Sequence, residues 1–221
     1  MIAPVNDVFI GIPHAGVLKT DMALSLAGMM AADRIGESRI GGIINSGGPY
    51  LIYNANAIVR HFLDTTKGQW LLSVEWDHQF TAETLYCLLD CDKPLVGAMY
   101  WLDMKGGGLQ ICASASRSCF HGYTEVPDNT LFEAGAIGFG FTLIHRSVLE
   151  AMQQNPAPDV RGEFTWFDMI PGVNNHGEEI MIGHDVVFCQ RARHAGFSSW
   201  CHSGIQVTHV DKGRTLGKLL P

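Results

Sequence analysis

Apolar and polar positions alternate between two rhythms along the first hundred residues. Short apolar runs, partly β-branched, recur at Asp7–Pro13 (DVFIGIP), Arg39–Asn45 (RIGGIIN), Gln69–Glu75 (QWLLSVE) and Pro94–Trp101 (PLVGAMYW). Each has the length and composition of a buried strand, and proline stops the first. Between them the period lengthens. Thr20–Arg34 is rich in Ala, Leu and Met, with Thr20 as a cap and Asp21 in the first turn, so a helix is expected. Asn54–Thr66 places Ile58, Phe62 and Leu63 on one helical face, and Thr81–Cys91 reads as a third helix. Strand–helix alternation predicts an α/β fold with a parallel sheet covered on both faces.

The second half is less regular. Gly106 to Gly108, Gly108–Ala113 and Cys119–Val126 read as turns and short strands. Ala136–Met152 (AIGFGFTLIHRSVLEAM) is a glycine-rich strand or turn leading into a short helix, and Asn155–Phe164 is an exposed loop. Gly183–Phe197 reads as a helix stopped by Gly196, and Ile205–Val210 as a late strand. With no repeat and no linker, the expectation is one domain over residues 1–221.

Composition narrows the function classes. The chain has 221 residues, 47% hydrophobic and 17% charged, which suits a packed domain rather than a disordered one. Its formal net charge is −7, without a run of Lys or Arg, which disfavours a general grip on nucleic-acid phosphates. The six cysteines form no CxxC pair and match no zinc-knuckle spacing, so they are expected as mostly buried thiols in a reducing compartment. The start lacks a basic leader, and no apolar run approaches a membrane span, so a cytoplasmic protein is expected.

Candidate chemistry concentrates where the third strand ends, in LLSVEWDHQF (Leu71–Phe80). Residues two apart on a strand share a side, which puts Glu75 and Asp77 together. In open parallel sheets ligands sit at the carboxyl ends of strands, and paired carboxylates there suit a hard divalent ion. Solvation of both acids at the strand exit is the competing account. GIPHAG (Gly11–Gly16) fits a dinucleotide fingerprint only at its ends, because Pro13 occupies the middle glycine position. Asp33 does not rescue that motif. No phosphate-binding GxxxxGK[ST] loop and no GxSxG elbow occurs. Asp185, in the first turn of its helix, is either a favourable helix-end charge or a general base, and His184 is a second pocket candidate. Glu178 and Glu179 are further acids. His209 in VTHV is either structural or a metal ligand. His78 is close to the proposed metal, with its side undetermined. His14 follows the first strand, where it can line a ligand. His61, His145 and His194 read as surface residues.

Taken in chain order, VFIGIPHAG, VRHFLDTTKGQWLLSVEWDHQF, KPLVGAMYW, AIGFGFTLIHRSVLEAM, GHDVVFCQRARHAGF and VTHV resemble the GT-A class of nucleotide-sugar glycosyltransferases. The nearest flavour is its compact family-2-like bacterial and phage members. The resemblance covers most of residues 7–210 and implies a mostly parallel central sheet flanked by helices. Residues 1–102 would form the nucleotide-binding half, and 103–221 the acceptor-side and catalytic half. Glu75 and Asp77 stand at the family's Asp-x-Asp, which binds Mn²⁺ or Mg²⁺ and through it a nucleoside-diphosphate sugar. His209 matches a late metal-binding histidine, and Asp185 matches the general base of inverting members. Pro13, His14 and Gly16 match the nucleotide-binding segment, and Asn56 the asparagine of an ARN segment. Gly138 and Gly140 match a turn beside the donor sugar, and Glu75 and His184 complete the donor surroundings. Three departures stand out: Glu75 replaces Asp, His184 replaces Glu and Ala55 replaces Arg.

The activity implied is metal-dependent transfer of a sugar to an acceptor hydroxyl, with inversion. The acceptor is open: a glycan, a small molecule or a modified nucleic acid. The alternatives are a degenerate sugar-nucleotide or glycan-binding protein and a nucleotidyltransferase. The size is compatible with a homodimer.

Overall fold

The computed structural model describes residues 5–103, 109–111, 113–114, 123, 125–160, 162–174, 176–211 and 214–216. The expected turn at Gly106–Gly108, and most of the segment Cys119–Val126, lie outside them. The first half runs β1 (Val8–His14), α1 (Thr20–Ile35), β2 (Ile40–Gly47), α2 (Leu51–Thr65), β3 (Trp70–Val74), β4 (His78–Gln79), α3 (Thr84–Asp90) and β5 (Leu95–Met99). Short strands follow: β6 (Trp101–Asp103), β7 (Leu109–Ile111), β8 (Ala113–Ser114), β9 (Leu131–Ala134) and β10 (Ala136–Ile137). Then come β11 (Phe141–His145), α4 (Arg146–Gln154), the hairpin β12 (Ile170–Val173) and β13 (Glu179–Ile182), and α5 (His184–His194). The chain ends with β14 (Ser199–Gln206), β15 (Thr208–Asp211) and β16 (Arg214–Leu216).

The central sheet has seven strands in the order β2-β1-β3-β11-β5-β14-β9. It is mixed, which corrects the expectation of a mostly parallel sheet. β2, β1 and β3 pair in parallel, as do β5 and β14, whereas β11 runs against both its neighbours and β9 runs against β14. β11 is buried at four successive positions, Phe141 to Ile144. A strand covered on both faces reads as a continuous apolar run, so its direction leaves no mark in the sequence.

Side chains on the two faces of this sheet pack two cores. Leu71 joins Ile58, Phe62, Val148, Phe188 and Cys201 on one side. Its neighbour Leu72 joins Ile10, Met22, Met29, Leu85 and Leu143 on the other, as strand alternation requires. Helices α2, α4 and α5 therefore cover one face and α1 and α3 the other.

Several boundaries moved for local reasons. α1 is capped at Lys19 without a side-chain bond, so Thr20 is its first helical residue rather than its cap. α2 starts at Leu51, three residues before the expected Asn54. The buried Asn54 is instead a tie: its amide donates to the carbonyls of His14 and Gly48. His145, expected at the surface, is half-buried. It caps α4 by accepting from Ser147 N at 3.3 Å. Gly196 takes φ +97° just past α5, as its reading as a stop requires. Asp33 accepts from Arg39 N, Ile40 N and the Tyr86 hydroxyl, a buried bracket between α1 and β2. Of the four described cysteines, all free thiols, Cys189 and Cys201 are buried, Cys91 is half-buried and Cys87 is exposed. No described helix is long and apolar enough to cross a membrane.

Candidate metal centre and adjoining cleft

β3 hands its last residues to a tight turn. Glu75 N donates to Gly140 O at 3.0 Å, and His78 N donates to Glu75 O at 3.4 Å. Val210 N donates to Asp77 O at 2.8 Å, which brings β15 alongside β4. The turn aims Glu75, Asp77 and the buried His78 at a common point, and one ligand atom of each lies within 4.8 Å of the others. His78 Nδ1 is 3.1 Å from one Asp77 oxygen, and His209 Nε2 is 3.2 Å from the other. The structure brings Glu75, Asp77 and His209 into one cluster and adds His78, whose side could not be read past the strand end.

The His78 ring is walled in. It meets Tyr100 edge-on with centroids 4.5 Å apart, and the Tyr100 hydroxyl accepts from Gly140 N at 3.1 Å. A Cβ on Gly140 would overlap the His78 ring. Gly140 thus supplies the space for the imidazole. Gly138 is also buried, and its carbonyl accepts from Thr142 Oγ1 at 2.8 Å, so it braces the turn.

The acids differ electrostatically. Burial pushes the Glu75 carboxyl up to about 7, and the negative charges of Asp185 and Asp77 push the same way. For Asp77, burial also acts upward. Hydrogen bonds from His209 and His78 outweigh it and hold this carboxyl well below the usual range. Burial lowers His78 against the pull of Asp77. His184 is opposed by burial, yet the charge and contact of Asp185, reinforced by Glu75, raise it to about 9. His184 Nε2 stands 2.8 Å from Asp185 Oδ1 at the start of α5. Two carboxylates and one imidazole are a donor set suited to a divalent ion such as Mn²⁺.

Beside this cluster lies a cleft of about 1050 Å³ between α2 and residues 163–169, with His184 on its wall. Asn56 builds the cleft. Its amide donates to Ile52 O and Phe167 O, and its oxygen accepts from Trp166 N and Phe167 N. Arg191, almost fully buried, reaches Asp159, Thr165 O and Asp168 from behind and fixes the same wall. Sequence reading placed neither the cleft nor Arg191. The basic residue inside an otherwise apolar helical stretch, VVFCQRA, was the available signal.

At the ends of β1 and β2, His14 Nδ1 accepts from Gly16 N at 3.0 Å, and Gly16 has φ +104°. Pro13 pairs in register with Ser46. A Cβ on Gly47 would overlap the His14 ring. These residues stand at the carboxyl ends of β1 and β2, and β1 pairs directly with β3, whose own end carries the Glu75–Asp77–His78 cluster.

No family model matches the chain, and no curated protein matches it. Among solved structures, A197 from STIV aligns with a TM-score of 0.57 at 16% identity, covering 94% of this chain and 87% of that one. The two share a fold. A protein assigned as a glucose-1-phosphate thymidylyltransferase from Bacillus anthracis, solved with sucrose, aligns at TM-score 0.39 and 10% identity over 89% of this chain and 90% of that one. HddC from Yersinia pseudotuberculosis, complexed with GMP-PN, aligns at 0.34 and 10% over 85% and 97%.

Proposed function

We propose that the protein binds a nucleoside-diphosphate sugar through a divalent cation and transfers the sugar to an acceptor hydroxyl. The carrying observation is the convergence of Glu75, Asp77 and His78, with His209 on Asp77, at the carboxyl end of β3. That is where open α/β sheets receive ligands. Glu75, Asp77 and His78 would hold Mn²⁺ or Mg²⁺, with His209 orienting Asp77 or joining it. When bound, the ion neutralises charge on the departing diphosphate. Residues 1–102 carry the nucleotide side, with Pro13, His14 and Gly16 at the carboxyl end of β1. Residues 103–221 carry the acceptor side. Asp185 takes the proton of the attacking hydroxyl, and His184, protonated near neutral pH, balances its charge.

A second reading, donor binding without turnover, has a specific observation in its favour. The imidazolium of His184 lies 2.8 Å from the very carboxylate that must accept a proton. Nucleotidyl transfer is the third reading, because the same metal cluster serves either bond to phosphorus or bond to sugar.

Calorimetry with a panel of nucleotide sugars, in Mn²⁺ and in EDTA, separates them. Metal-dependent binding followed by release of nucleoside diphosphate supports transfer. Metal-dependent binding with no product supports the binding role, and pyrophosphate release from a nucleoside triphosphate supports nucleotidyl transfer. Absence of metal-dependent binding overturns all three.

A further inference from the structure

The cleft between α2 and residues 163–169 has no part in holding the metal, and its chemistry differs from that of a phosphate site. Tyr50 and Tyr53 stand on it, 71% and 79% exposed. Tyr50 is the N-cap residue of α2 and Tyr53 lies in its first turn, so both stand at the N-terminus of that helix. Exposed aromatic rings of this kind are costly to leave in water and offer flat apolar faces with a polar tip. Around them the described lining carries Asp64, Glu163 and Asp168 against Arg60 and His61. Arg60 is already committed to Glu163 at 3.1 Å, and Asp168 reaches Arg191. Glu163 is matched by Arg60, Asp168 by Arg191 and His184 by Asp185, and Asp64 adds a further negative charge, so the described lining offers an anion no cation that a carboxylate does not already face, and a nucleotide or a phosphorylated chain is a poor occupant. The same carboxylates accept hydrogen bonds from neutral hydroxyls. At about 1050 Å³ the cleft is at the upper end of the roughly 300–1,000 Å³ typical of small-ligand sites, room for a chain of units rather than one.

We infer that this cleft binds a neutral oligosaccharide, stacked on Tyr50 and Tyr53 and hydrogen-bonded to Asp64 and Asp168, with its end directed to His184. Resting on the transferase reading above, this makes an extended neutral glycan the acceptor class. His184 is the shared residue: it lines the cleft and contacts Asp185. A glycan in the cleft therefore has access to the residue that contacts the proposed base.

The test is run on the full chain in EDTA, so that the metal site plays no part. Neutral cello-, malto- and chito-oligosaccharides, from disaccharide to hexasaccharide, are titrated by calorimetry and by amide chemical shift. At least one series is expected to bind with affinity rising with length, shifting amides of residues 50–57 and 163–169. Tyr53→Ala should weaken binding by about tenfold, the loss of one aromatic platform. Tyr53→Phe, which keeps the ring, should stay within about twofold. Failure of all three series to bind overturns the inference, as does equal affinity in Tyr53→Ala, or displacement of the glycan by a nucleoside diphosphate. Glycan binding in a protein that shows no metal-dependent nucleotide binding would leave the cleft assignment standing and remove the transferase reading alone.

Discussion

At the scale of single residues, the cluster is a competition between burial and charge. Glu75 and Asp77 are two positions apart, yet one is pushed up to about 7 and the other held far down, because only Asp77 receives both imidazoles. A metal requires Glu75 ionised, so binding below about pH 7 displaces its proton. Mn²⁺ affinity is therefore expected to rise by up to about tenfold per pH unit until Glu75 is ionised, then level. Calorimetry in two buffers of different ionisation enthalpy reads the released proton. Stability without metal runs the other way. Glu75 binds its proton more tightly folded than unfolded between its ordinary 4.5 and about 7, and His184 does so between 6.5 and about 9. Above 6.5 both groups hold more protons in the folded state, so stability falls as pH rises, whereas below 6.5 His78 and His145, each lowered by burial, oppose Glu75. The melting temperature in EDTA should decline between about pH 6.5 and about pH 9, and Glu75→Gln should flatten the lower part of that slope. A third residue-level expectation concerns Gly140. Gly140→Ala puts a methyl into the His78 ring, which Tyr100 backs and which cannot swing aside. Overpacking of this kind costs about 1–3 kcal/mol. Chemical denaturation should register that loss, together with weakened Mn²⁺ binding.

At the scale of elements, the site depends on how a few polar side chains fasten irregular backbone to helices. α2 and α5 were legible because their apolar spacing is helical and Gly196 ends α5 at a left-handed residue. The stretch 155–169 carries no periodic pattern, so the cleft wall at 163–169 could not be read. Its shape comes from Asn56 on α2 and Arg191 on α5, each satisfying several groups at a sequence distance of 23 to 111 residues. β14 was legible only at its end, because SWCHSG carries polar residues at buried positions. Ser199 and Ser203 are both buried there. Arg191→Met tests the fastening. It keeps much of the volume and removes the charge and donors, leaving Asp159 and Thr165 O without their partner. Losing one member of a buried pair costs about 3 kcal/mol, the low end of its range, since Asp159 and Asp168 can both reach water. Amide exchange over residues 159–168 should accelerate, while Mn²⁺ binding at Glu75 and Asp77 is retained.

At the scale of the molecule, the strand–helix alternation of the first hundred residues gave β1, β2, β3 and β5 and a fold with helices on both faces. The order of strands was not legible, because β11 and β14 enter the sheet from the second half and β11 separates β3 from β5. Local patterning says that a strand is buried; it does not say beside which partner. Yet this insertion makes the site. β11 follows the Gly138–Gly140 turn that packs on His78, and β14 leads into β15, which returns His209 to Asp77 across 132 positions. Residues so distant in sequence converge only in the folded chain, so the unfolded state lacks the site. A cation that binds there adds to stability by mass action. Mn²⁺ at about one hundred times its dissociation constant should stabilise the fold by about 2.7 kcal/mol. The gain should vanish in Asp77→Asn, which keeps the shape but gives up the charge that His78 and His209 face. Equal stabilisation of the variant and the wild-type protein would place the ion elsewhere on the acidic surface.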